Sequence, residues 1–237
     1  MPLDIFAAVP GGWSRGGSVA AGSPPDRIDG SALAAARLDL QSSAMPLLER
    51  DDSVLVVIDA QVGFSGASDA DAERAAQSRA VAAWLAAVAT VLGIPAVVTE
   101  EDAATRGRTD PAIATALPAG TQVFDKRVFG LAGEPAIVSA LEKTQRRTAV
   151  LVGAETDVCV AHSAIELQDL GWRVVVVSDA TFSPVPMHER GLDQLRDAGI
   201  AVRHAKGVYY DWVRTLATAR AFEAEHPELA SPPGFSL

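Results

Sequence analysis

A single cysteine, Cys159, occurs in 237 residues, so no disulfide can form within the chain, and a reducing, cytoplasmic compartment suits it. Basic residues are also few. Twenty Lys and Arg stand against 30 Asp and Glu, a formal charge of −10, which argues against nucleic acid and anionic membranes as partners. No apolar run reaches the ~20 residues of a membrane span. The four histidines all fall at or after His162, too late and too scattered to suggest a metal centre. The opening MPLDIFAAVPGGWSRGG has neither a basic start nor a long apolar stretch, and does not read as a secretory signal.

What is abundant is apolar surface, 49% of residues, enough for one substantial core. Residues 1–45 are rich in Gly, Pro, Ser and Ala without a sustained period and are expected to form a disordered arm, with a short helix at 31–40 and a native start at Met45. Residues 46–226 read as one domain, and the Pro-rich 227–237 as a loose tail. Within the domain, short β-branched runs alternate with helical periods. Ser53–Ile58, Pro95–Thr99, Thr121–Phe124, Thr148–Val152, Trp172–Val177 and Ile200–Arg203 read as strands, most of them largely apolar as strands buried on both faces are. Helices are expected over 71–92, 135–143, 158–167, 187–198 and 210–225. This alternation predicts an α/β fold: a three-layer αβα sandwich around a six-stranded parallel sheet of Rossmann-like topology.

In such a sheet the working edge lies at the carboxyl ends of the strands. Asp59 ends the first strand, Lys126 lies just past the third, and Cys159 follows the fourth at a strand-to-helix junction, LVGAETDVCV. The first turn of a helix favours thiolate over thiol, and Thr156 or Asp157 is placed to cap it. A carboxylate can accept a thiol proton, an ammonium can balance the charge, and a thiolate can attack a carbonyl. The acidic trio Glu100, Glu101 and Asp102 reads as a solvated loop. His162 and Glu166 lie one helical turn apart but have no third ligand near in sequence. His188, His204 and His226 have no assigned chemistry.

DAQVGF from Asp59, the lysine of FDKRVFG, and GAETDVCV from Gly153 to Val160 together resemble the isochorismatase-like cysteine hydrolases, over roughly Val54 to Phe222. That superfamily includes nicotinamidases, carbamoylsarcosine and ureido-amide hydrolases, and isochorismatases. The resemblance implies a homo-oligomer with Asp59, Lys126 and Cys159 as triad, a cis peptide between Ala154 and Glu155, and an oxyanion hole made by the N–H groups of Glu155 and Cys159. Phe64 and Phe129, which follow motif residues, are candidates for lining a substrate pocket or for core packing. Nicotinamidases carry Asp-x-His and a further histidine after the second strand, where this chain reads TEEDAATRGR. The expectation is a metal-independent, cofactor-free hydrolase of a small-molecule amide, ureide or related C–N bond, working through a thioester. A binding or assembly protein that keeps the fold without catalysis is the alternative; a thiol-redox protein lacks a resolving cysteine.

Overall fold

The computed structural model describes residues 46–237, so the expected arm and its helix at 31–40 lie outside the described residues. Six strands form one sheet: β1 (Ser53–Ile58), β2 (Ala96–Glu101), β3 (Gln122–Lys126), β4 (Thr148–Ala154), β5 (Arg173–Phe182) and β6 (Ala201–Arg203). Their order is β3-β2-β1-β4-β5-β6 and every pairing is parallel. Among the described residues eight α-helices accompany them: α1 (Asp69–Val91), α2 (Ala103–Arg106), α3 (Pro111–Ala116), α4 (Pro135–Lys143), α5 (Ala161–Asp169), α6 (Met187–Asp197), α7 (Ala205–Val213) and α8 (Leu216–Glu225). None is long and apolar enough to cross a membrane.

Alternation along the strands divides the core in two. Leu55, Val57, Val150, Val152, Val175 and Val177 face α1, α7 and α8. Val54, Val56, Ile58, Ala149, Leu151, Val174 and Val176 face α4, α5 and α6. Because neighbouring side chains on a strand point to opposite faces, a run such as SVLVVI must be apolar throughout when both faces are covered. The result is the αβα sandwich predicted from the sequence.

The longest helix, α1, begins where the Ser68 hydroxyl accepts from the Asp71 N–H at 3.1 Å and ends at Gly93, whose φ of +71° suits glycine. Two expectations need correction. The helix foreseen over 210–225 is two helices, broken at Arg214, which takes a φ of +63°. The segment 227–237 is packed rather than loose. Trp84 Nε1 donates to the Leu229 carbonyl at 2.8 Å, and Phe235 meets the Trp84 ring edge-on at 5.3 Å. The buried indole needs an acceptor and an apolar cover, and the tail supplies both.

Candidate active site

Register brings the site together. Ile58 lies opposite Thr99 on one side and Gly153 on the other, and Glu101 lies opposite Lys126. The carboxyl ends of β1 to β4 therefore stop at one level. Side chains two apart on a strand share a face, so Thr99 and Glu101 point to the same side and Glu100 to the other. Thr99 Oγ1 donates to Asp59 Oδ1 at 2.8 Å. Glu100 instead accepts from the Thr109 N–H and hydroxyl, both at 2.8 Å, and pairs with Arg108. The acidic trio is thus not a solvated loop: Glu100 and Glu101 close β2, one anchoring the next loop and the other entering the site.

Asp59 and Lys126 form an ion pair at 2.7 Å with both side chains 0% exposed. Lys126 Nζ also donates to the carbonyls of Val128 at 2.9 Å and Phe129 at 3.0 Å, so the ammonium is satisfied without water. The Asp59 carboxyl is raised above its ordinary range by burial, against the opposing charge and hydrogen bond of Lys126 and the bonds from Thr99 and Cys159.

Cys159 is 2% exposed and sits not in a regular helix but in a single π turn, Thr156–Val160, ahead of α5. The wide turn is closed by the Val160 N–H donating to the Glu155 carbonyl at 3.0 Å. Neither Thr156 nor Asp157 caps it. The Thr156 hydroxyl is 2.9 Å from His188 Nδ1, and Asp157 accepts from the Ser183 hydroxyl at 2.6 Å, tying the turn to α6 and to the end of β5. Gly153, with a φ of +124°, lets the chain enter this turn; a Cβ there would lie 1.8 Å from the Ile58 carbonyl oxygen. The Ala154–Glu155 peptide is cis.

The thiol donates to Glu101 Oε2 at 3.1 Å. Burial, then the charge of Asp59, push its pKa well above the ordinary thiol range; Lys126 opposes them, and Glu101 adds to the rise. This reverses the sign expected from a helix start: desolvation and two carboxylates outweigh the dipole of one turn. Asp59, Glu101 and Cys159 bring one potential ligand atom each within 4.8 Å of one another. The Lys126 ammonium already balances the charge of Asp59.

The aromatic candidates separate. Phe64 is buried against Ala75, Ala154 and Phe182, and the Arg106 guanidinium lies 4.9 Å above its ring. Phe129 is 55% exposed and meets His162 edge-on at 6.0 Å. Glu166 accepts from the Ala132 N–H at 2.9 Å, which fixes the loop after Lys126, while His162 is exposed. Glu101 is the site residue that sequence reasoning missed. The signal available was its position two residues after Thr99 at a strand end.

A doubly wound parallel sheet with a thiol, a lysine and two carboxylates gathered at its carboxyl edge defines an α/β protein with a cysteine-centred site. The isochorismatase domain matches residues 53–206, and the chain belongs to that family, whose members are generally hydrolases. Cattle (Bos taurus) isochorismatase domain-containing protein 2 is 30% identical over 150 residues, 62% of this chain and 67% of that protein. Among solved structures, the MAR1 ribonuclease from Caenorhabditis elegans aligns with a TM-score of 0.68 at 25% identity, covering 81% of this chain and 98% of its own. The YcaC gene product of Escherichia coli, described as an octameric hydrolase of unknown specificity, aligns with a TM-score of 0.65 at 20% identity, covering 77% and 92%.

Proposed function

We propose that this chain is a metal-independent cysteine hydrolase of small-molecule amides, ureides or related C–N bonds, working through a thioester with Asp59, Lys126 and Cys159 as triad. The observation that carries the reading is the fully buried Asp59–Lys126 pair at 2.7 Å beside the only thiol. As the sulfur attacks the substrate carbonyl, a neighbouring carboxylate takes the thiol proton, and the N–H groups of Glu155 and Cys159 receive the oxyanion. The leaving nitrogen takes up that proton and departs as the neutral amine, and water activated by Asp59 releases the acid. Lys126 holds the charge balance throughout. Phe129, whose carbonyl accepts from Lys126, offers an exposed apolar wall, and Phe64 carries the Arg106 guanidinium on its ring.

A neutral or cationic substrate fits the surroundings better than a polyanion. Burial raises the Glu155 carboxyl, the charges of Asp157 and Glu101 add to the rise, and that of Arg106 opposes it. The formal charge of −10 opposes RNA on the same ground. The single cysteine supports a cytoplasmic setting, and the octameric state of the Escherichia coli structure supports a homo-oligomer. A binding or assembly role without catalysis has one observation in its favour, the burial and raised pKa of the thiol. Cys159→Ala decides between the two. It is expected to fold, to keep its thermal midpoint within a few degrees, and to release no ammonia from a panel of small primary amides and ureides hydrolysed by the native chain. Undiminished hydrolysis in the variant would refute the cysteine mechanism.

A further inference from the structure

Two carboxylates border Cys159, and they differ in what already binds them. Asp59 is 0% exposed, with Oδ2 on the Lys126 ammonium at 2.7 Å and Oδ1 on the Thr99 hydroxyl at 2.8 Å. Glu101 has an exposed fraction of 19%, and its nearest cation, Arg106 Nε, is 3.9 Å from Oε1. Its other oxygen, Oε2, is the one that accepts from the thiol at 3.1 Å. The Glu101 N–H is itself fixed, donating to Gln61 Oε1 at 2.7 Å, while Gln61 Nε2 donates to the Glu101 carbonyl at 3.1 Å. Strand position, a side-chain clamp on its backbone and a guanidinium resting on Phe64 together hold this carboxylate toward the sulfur.

We propose that Glu101 is a catalytic acid–base residue: it takes the proton from Cys159 Sγ as the sulfur attacks, and returns it to the leaving nitrogen. The inference rests on the proposed cysteine mechanism and deepens it. In the first half-step the S–H bond breaks, an O–H bond forms on Glu101 Oε2, and the sulfur pair forms the S–C bond while the carbonyl pair moves to oxygen. In the second, the carbonyl re-forms, the C–N bond breaks, and nitrogen takes the proton from Oε2 and departs as the neutral amine. Glu101 is again a carboxylate, and the acyl group is on sulfur. Asp59, paired with Lys126 and Thr99, takes no proton in these two half-steps and is left for the water that ends the cycle. Being partly exposed, Glu101 can also exchange its proton with solvent between turnovers, which a wholly enclosed carboxylate cannot do.

The role carries a signature of opposite signs. Glu101→Gln removes a negative charge and a thiol acceptor, both of which favour the protonated sulfur, so the rate of iodoacetamide alkylation at a fixed pH between 7 and 10 should rise by about tenfold or more. The same change removes the proton carrier, so hydrolysis of the primary amides and ureides cleaved by the native chain should fall by about 100-fold or more. A packing role would move both readings down together or neither. Glu101→Asp, which restores a carboxylate on a shorter stem, should recover part of the hydrolysis and slow the alkylation again. An alkylation rate in Glu101→Gln that is unchanged or lowered would overturn the assignment, as would undiminished hydrolysis. Failure of the underlying reading is seen separately, as hydrolysis that survives in Cys159→Ala, whereas the alkylation rate is read without any turnover.

Discussion

Cys159 is a thiol that its surroundings keep protonated. Desolvation is the largest cause, the Asp59 carboxylate adds to it, and Lys126 is the one group pulling the other way. Below its pKa the thiolate fraction rises tenfold per pH unit, so alkylation of the native chain should still be climbing between pH 7 and pH 10, with no plateau near neutrality. Lys126→Met should slow alkylation further at every pH, because it removes that opposing charge. The same substitution strands Asp59 in the core and should cost about 3–5 kcal/mol in denaturant unfolding, unless the carboxyl protonates. A faster thiol in Lys126→Met would contradict this charge balance.

Among the elements, the π turn depends on His188 of α6. Burial holds this imidazole below its ordinary pKa, against the charges of Glu189 and Asp157. The unfolded chain therefore binds its proton first as pH falls. Unfolded histidine takes up a proton near pH 6.5, so the contribution of His188 to stability is complete above that value and is lost as pH drops toward the folded pKa. His188→Asn should flatten the stability profile between pH 6.5 and 5 relative to the native chain. Parallel profiles would remove His188 from the account.

Strand β1 was legible to the residue, Ser53–Ile58, because burial on both faces leaves an unbroken apolar run. The edge that Asp59, Lys126 and Cys159 share was legible from strand order alone. The break at Arg214 was not, since a non-glycine φ of +63° leaves no mark in composition. Glu101 was hidden for a related reason. An acidic cluster at a strand end resembles solvated loop until strand phase separates the carboxylate that faces the site from the one that faces away.

For the whole molecule, two layers of helix enclose a sheet, and the final residues complete one of the layers. Ending the chain at His226 would remove the acceptor of Trp84 Nε1 and the ring of Phe235. Loss of that hydrogen bond and of the aromatic contact should cost about 1–3 kcal/mol, read as a lowered unfolding midpoint and a red-shifted tryptophan emission. An unaltered midpoint would mean the tail contributes nothing to the layer.

The parallel register has a consequence in time. Asp59, Glu101, Lys126 and Cys159 come from the ends of three strands and a turn that are far apart in sequence, and each parallel pairing needs a long crossover before it forms. Non-local pairings of this kind form slowly. A chain emerging from synthesis can hold most of its helices and still lack the group of atoms that would make its sulfur reactive toward a carbonyl. On the proposed mechanism that chemistry is withheld until β1 to β4 are aligned, and a half-folded chain carries only an ordinary exposed thiol.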